Sequence, residues 1–400
     1  MRFRKNKVFS TLHTSILILL FNIQIVSSQE GNKWAMRMAL SEMKRNPQAW
    51  MIDFGRAPQW NYTQGLVSLA FLNLWEETKD LEFFNYTKGY ADKLIDSLGN
   101  IISYRENDYS LDKVNSGKIL FTLYSQTGDS RYKKAIQKLR VQLKDQPRTS
   151  EGGFWHKKVY PHQMWLDGIY MGTPFLAQYG SIYNDSLALN EAVLQILTIQ
   201  KHTFDPKTGL NYHAWDESKQ QAWSDPKTGC SPHVWGRAQG WYYMAIVDAL
   251  DYIPENFPNR NQLISILKNL TLNIVKVQDK QSGVWYQVLD EGTRAGNYLE
   301  SSASSMFIYG MLKAVRKGYV ERSFLTQAEK GYKGILKTFI RENSDSTISI
   351  TKGCTVAGLG GKPYRSGTFE YYISEPVRDD DPKAVGPFIL ASLEYKNAVN

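Results

Sequence analysis

The sequence predicts an all-α fold, six helical hairpins closed into a single-domain (α/α)6 barrel, and three observations carry that prediction. The first is periodicity. Apolar residues recur at three- and four-residue spacing over 33–48, 62–79, 83–97, 112–126, 130–145, 166–180, 185–200, 237–253, 260–278, 299–317, 323–341 and 384–396. The second is a signal that opens every other segment, in which a polar or charged residue precedes small residues and then a continuous apolar run. The third is a turn that precedes several of these openings, built from polar residues, a glycine, aromatics and a last polar side chain. Such recurrence marks a repeat architecture. A solenoid would share the hairpins, but it repeats more evenly and offers a long outer groove.

Taken in order, the chain enters on MRFRKNK, an apolar stretch VFSTLHTSILILLFNIQIV and then SSQ. A basic start, an apolar run and small residues read as a secretory signal over 1–28, with the barrel spanning 29–400; an uncleaved anchor is the alternative. No later stretch is long and apolar enough to span a bilayer, so no stable membrane insertion is expected after cleavage. The segment 33–48 is an outer helix, and WNYTQGLVSLAFL opens the first inner one. The next inner openings are SLDKVNSGKILFTL, WLDGIYMGTPFLAQ, WGRAQGWYYMAI, YLESSASSMFIYGM and DDPKAVGPFILASL. A helix apolar nearly all round is buried, so these six line the inside of the ring. The alternating segments, such as SRYKKAIQKLRVQLKD, keep a polar face and lie outside. The turns TSEGGFWH, PKTGLNYH and KQSGVWYQ place His156, His213 and Gln287 at equivalent positions.

If the inner helices run parallel, their N-termini meet at one end and gather Asp112, Asp167, Arg237, Glu300, Tyr62 and Asp381, with His156 and His213 on adjoining loops. Unpaired N–H groups and the helix dipole favour an anion there. Glu300 and Asp381 read as N-caps. Asp112 and Asp167 are each followed by an inward-looking turn with glycine, yet spacing alone leaves cap and chemical roles open. Carboxylates among aromatic rings suit sugar cleavage, because a carboxylic acid kept protonated in an apolar setting can serve as a general acid.

Composition bounds the function. With 400 residues, 42% hydrophobic and 22% charged, the chain can bury a large core. Its 11 Trp, 24 Tyr and 17 Phe suit ring stacking as well as core packing. Arg2, Arg4, Lys5 and Lys7 account for four of the +9 net charge, leaving +5 after the leader, which is too mild to argue for nucleic acid. No P-loop or strand-turn-helix GxGxxG is present. Five histidines follow the leader without close pairing, and DDDPK at 379–383 reads as a capped helix start, so neither a metal nor a cofactor is expected. Cys230 and Cys354 read as ordinary buried thiols.

Longer motifs carry a resemblance. FWHKKVYPHQMWLDGIYMGTPFLAQYG at 154–180, GLNYHAWDES at 209–218, VWGRAQGWYYMAIVDALDYIP at 234–254, NYLESSASSMFIYGM at 297–311 and TFEYYISEPVRDDDPKAVGPFILA at 368–391 resemble the unsaturated rhamnogalacturonyl hydrolases, glycoside hydrolase family 105, related to the unsaturated glucuronyl hydrolases of family 88. The resemblance implies an (α/α)6 barrel that acts on oligosaccharides left by polysaccharide lyases. It implies removal of a 4,5-unsaturated uronic acid by hydration of its C4=C5 bond, with no cofactor. By motif, Asp167 takes the general acid/base position and Asp112 the second acidic one. His156, His213, Arg237, Gln239 and Trp241 match pocket positions, with Arg237 placed to hold the uronate carboxylate through two bonds. Trp235 and Tyr62 match shorter patterns. Substrates from pectin rhamnogalacturonan come first, sulfated glucuronyl-rhamnose from ulvan second, and a non-catalytic sugar-binding toroid third. Export would be to the periplasm or the medium.

Overall fold

A computed structural model describes residues 30–399; the leader expected at 1–28 lies outside the described residues. Helix α1 covers 30–45, followed by α2 (Tyr62–Thr78), α3 (Leu81–Leu94), α4 (Asp112–Asn115), α5 (Lys118–Thr127), α6 (Ser130–Asp145), α7 (Leu166–Tyr183) and α8 (Ser186–Thr203). Then come α9 (Gly236–Ala249), α10 (Arg260–Lys276), α11 (Ser301–Arg316), α12 (Leu325–Phe339), α13 (Phe369–Ser374) and α14 (Pro382–Val399). The inner ring closes in chain order: α2 packs on α4 and α5, these on α7, then α9, α11, α14 and back to α2. The remaining long helices, α1, α3, α6, α8, α10 and α12, stand outside, and the fold is the (α/α)6 barrel that the periodicity predicts.

Burial separates the two layers. Every residue of α9 is buried, whereas α6 buries one stripe that includes Tyr132, Ile136, Leu139 and Leu143. Small residues let the inner helices approach closely. A Cβ on Gly65 would come within 2.5 Å of Ser116 Cα, and one on Gly240 within 2.9 Å of Met306 Cβ.

Two details depart from the periodic reading. The segment 112–126 breaks at Ser116–Gly117 into α4 and α5. Ser116 Oγ donates to the Asn61 carbonyl at 2.6 Å and Asn115 Nδ2 to that of Tyr62 at 2.9 Å, so this stretch is pinned to the start of α2. Helix α13 and the small strands were not foreseen. The strands have two or three residues and α13 six, set by tertiary contact and too short to show a period. Strands β1 (Gln163–Trp165) and β2 (Ala214–Asp216) pair antiparallel, with Trp165 opposite Ala214. Strands β3 (Ile340–Glu342) and β4 (Ile348–Ile350) form a second pair, and β5 (Gly353–Cys354) with β6 (Val377–Arg378) a third.

Two of the repeated turns share one design, while the one at Thr149 closes a residue earlier, from its N–H to the Gly153 carbonyl. The N–H of Asp205 donates to the Leu210 carbonyl and that of Asp279 to the Val284 carbonyl, while Gly209 (φ 71°) and Gly283 (φ 78°) take the left-handed backbone that glycine permits. The Asp side chain accepts from backbone N–H groups inside the turn. Asp225 and Gly229 build the same turn again.

Candidate active site

The starts of the inner helices do gather at one end, and two carboxylates face into it with different partners. Asp112 opens α4. Its Oδ2 lies 2.5 Å from Lys157 Nζ and its Oδ1 3.4 Å from His156 Nε2. Burial works to raise this carboxyl, but Lys157, with His156 and Lys113 behind it, outweighs burial and holds it below the ordinary range. His156 is buried, and burial pushes its imidazole down to about 4 against the pull of Asp112, so the ring is neutral near pH 7. Gly168 makes room for that ring, since a Cβ there would come within 2.8 Å of His156 Nδ1.

Asp167 lies in the first turn of α7, and β1–β2 pairing brings its partner alongside. The Leu166 N–H donates to the His213 carbonyl at 3.0 Å, and His213 Nε2 stands 3.2 Å from Asp167 Oδ2, off the hydrogen-bond line. On its other side His213 Nδ1 meets the Tyr372 hydroxyl at 2.8 Å. Burial pushes the Tyr372 hydroxyl well above its ordinary value, so it stays a phenol, and because the Asp167 carboxyl draws the imidazole N–H to Nε2, the phenol is the donor to Nδ1. The imidazole N–H is thereby left on Nε2, facing Asp167.

Aromatic rings wall the space. Trp165 stacks on His156 at 4.8 Å and meets His213 edge-on at 5.4 Å, and Trp235 packs 4.8 Å from His213. Trp241 stacks on Tyr170 at 4.8 Å and meets Tyr62 edge-on at 6.4 Å. Burial, then the charge of Asp112, raises the Tyr62 hydroxyl well above its ordinary value. Gln239 Oε1 accepts the Asn211 N–H at 2.8 Å, which holds the turn that carries His213.

These contacts sit on a recognisable scaffold. The pattern described as Glycosyl Hydrolase Family 88 matches residues 34–399. The chain belongs to that family. It is therefore a glycoside hydrolase. A solved family 105 glycoside hydrolase from C. acetobutylicum is 46% identical, with a TM-score of 0.87, covering 91% of this chain and 99% of that one. The unsaturated rhamnogalacturonyl hydrolase YesR of Bacillus subtilis is 28% identical over 273 residues, 66% of this chain and 74% of its own. The unsaturated glucuronyl hydrolase of Bacillus sp. GL1 shares the fold at a TM-score of 0.67 and 13% identity, covering 92% of this chain and 96% of that one.

Within this family 88 barrel, Arg237 requires a correction. It is 1% exposed, and its Nε donates to Ser302 Oγ at 2.7 Å, Nη1 to the Thr355 carbonyl at 3.3 Å, and Nη2 to both Glu300 Oε1 at 3.3 Å and the Cys354 carbonyl. A two-bond grip on a uronate carboxylate needs a pair of adjacent donors, and these are already taken by α11 and β5. Arg237 holds the ring together beside the site. Glu300 caps α11, accepting from the Ala303 N–H at 2.7 Å, as its position suggests. Asp381 accepts from the Lys383 N–H at the start of α14.

Two residues at the centre were missed by sequence reasoning: Lys157, which pairs with Asp112, and Tyr372, which orients His213. Lys157 follows His156 directly, just past the repeated turn TSEGGFWH, and that adjacency was the available clue. Tyr372 had no local clue. Among the described residues no cluster of three His, Cys, Asp or Glu side chains is placed to hold a metal ion.

Proposed function

We propose that this glycoside hydrolase removes a 4,5-unsaturated uronic acid from the non-reducing end of lyase-made oligosaccharides, with rhamnose-linked ends of rhamnogalacturonan as the first substrate class. The observation that carries the reading is the unlike setting of the two aspartates. Asp112 is held ionised by Lys157 and cannot donate a proton. It is left to orient the sugar or the water. Asp167, beside an imidazole N–H and next to Trp165, is the group free to exchange a proton with substrate. It protonates C4 of the vinyl ether while water adds at C5, and the proton that the water sheds returns to the carboxylate. The hemiketal then opens and the glycosidic link is lost. Trp241 and Trp235 are each 1% exposed and stack on Tyr170 and Tyr372, so they back the wall of the site from behind and do not present free faces to the sugar. The likeness to YesR supports the rhamnose-linked class. Export through the leader expected at 1–28, to the periplasm or the medium, belongs to the same reading.

The test follows the ultraviolet absorbance of the C4=C5 bond, with lyase products of pectin, ulvan and glycosaminoglycans supplied separately. The wild type should bleach the rhamnogalacturonan products, and Asp167→Asn should be slower by about 10²- to 10⁴-fold. A folded wild type that bleaches none of the three sets would overturn the proposal. Bleaching of the sulfated ulvan set alone would move the substrate to glucuronyl-rhamnose.

A further inference from the structure

The cations around the mouth differ in whether an acid neutralises them. Lys157 is paired with Asp112, Arg237 with Glu300, and Arg378 and Lys383 share Asp381. Arg365, on the loop between β5 and α13, bonds only neutral groups among the described residues. Its Nε donates to the Gly360 carbonyl at 2.8 Å, and its Nη2 to the Leu359 carbonyl at 3.1 Å and the Tyr160 hydroxyl at 3.0 Å. Nη1 takes none of these bonds. It rests against Gly358, where a Cβ would come within 2.2 Å of it, and Gly361 leaves similar room beside Nη2. The glycines are thus the space in which the guanidinium sits.

A ladder of rings ties this guanidinium to the reacting end. His156, 3.4 Å from Asp112, stacks on Trp165, which stacks on Tyr160 at 4.8 Å, and Arg365 Cζ stands 6.0 Å from the Tyr160 ring. His156 and Trp165 are buried and Tyr160 only half so, which means that the ladder leads outward. Leu359 and Trp223 pack with Trp165 in a small apolar cluster that fixes the loop from below. The rings stack on one another and form a rigid wall, so a saccharide with its terminal ring at Asp112 and Asp167 extends outward along a wall that ends at a half-buried positive charge.

We propose that Arg365 reads a negative group, a carboxylate or a sulfate ester, on the sugars beyond the one released. This rests on the hydrolase reading above. A guanidinium presents donors only, and three bonds already fix this one, so little rotamer freedom is lost when an oxyanion docks. A half-buried charge without a counter-ion also carries a desolvation cost that a bound anion offsets.

The experiment compares matched unsaturated oligosaccharides: one pair differs by a sulfate on the second sugar, the other by a uronate in place of a neutral third sugar. Wild type should prefer the anionic member of at least one pair. Arg365→Gln should cut that preference about tenfold, through KM, while Arg365→Lys keeps most of it. Rising salt should erode the preference in wild type and leave the Gln variant flat. Tyr160→Phe, which loosens the loop but keeps the charge, should retain the preference. A preference unchanged in Arg365→Gln, or both members of a pair losing equally, would overturn the proposal. Binding of the same pairs to Asp167→Asn, followed calorimetrically, reads the ratio without turnover. A binding preference without bleaching would thus fault the hydrolase reading and leave the role of Arg365 standing.

Discussion

Asp112 and Asp167 are the same side chain, and their neighbours make them different: a lysine at 2.5 Å on one, an imidazole at 3.2 Å on the other. The second environment depends on one hydroxyl. Tyr372 keeps its proton because burial disfavours the phenolate, and with Asp167 facing Nε2 this phenol is the donor to His213 Nδ1 that holds the N–H on Nε2. Without that donor both tautomers of His213 become accessible, and the one with an unprotonated Nε2 would set two acceptors face to face at Asp167. Tyr372→Phe should therefore lower kcat about tenfold, the worth of roughly one hydrogen bond, with KM within about twofold. Steady-state kinetics on the bleached substrate decide it, and an unchanged kcat in a folded variant would remove Tyr372 from this role.

At the scale of elements, the barrel helices and one kind of turn were legible, because both leave a periodic or local mark. The period of the inner helices puts their starts at 62, 112, 166 and 237, against Tyr62, Asp112, Leu166 and Gly236 in the fold, which is why Asp112 and Asp167 could be singled out together. Lys157, Tyr372 and Arg365 lie on irregular segments that reach the site only when the ring closes, and Arg237 was misjudged because its partner Glu300 is 63 residues away. The turn at Asp225–Gly229 went unnoticed although its Asp-Pro-Lys-Thr-Gly repeats the earlier one. It is the most demanding of them. Gly229 has φ 81°, and a Cβ there would come within 2.3 Å of the Asp216 carbonyl of β2. Gly128 also has positive φ (68°) but has open space around it. Gly128→Ala should cost about 1 kcal/mol from backbone conformation alone, and Gly229→Ala about 2–3 kcal/mol because the carbonyl must also move. Denaturant midpoints compare them directly, and equal losses would show that the contact with β2 carries no weight.

For the whole molecule, ring closure buries one charge that it does not pair. Lys118, the first residue of α5, is 3% exposed, and its Nζ sits 3.6 Å from the centre of the Tyr170 ring without a hydrogen-bond partner. The charge that faces it, Asp248, is already taken by Lys313 and the Tyr309 hydroxyl, each at 2.6 Å. Burial pushes the Lys118 ammonium from 10.5 down to about 7, with the pull of Asp248 opposed by Lys313. The sign of the effect on stability follows. Between about pH 7 and 10.5 the unfolded chain binds the proton and the folded chain does not, so this group's contribution rises with pH. Below about 7 both forms are charged and the folded barrel carries the full penalty, on the order of 4–5 kcal/mol. Lys118→Met removes the penalty and forfeits a cation–π contact of about 2 kcal/mol. The variant should therefore be more stable than wild type by about 2–3 kcal/mol at pH 6. That advantage should shrink toward zero as the pH rises from about 7 toward 10, where both folded and unfolded amines approach neutrality. Denaturant midpoints of both proteins at pH 6, 7.5 and 9 read the difference. Parallel curves would mean that the amine stays charged and hydrated inside the ring, and that the barrel axis is wetter than its apolar lining implies.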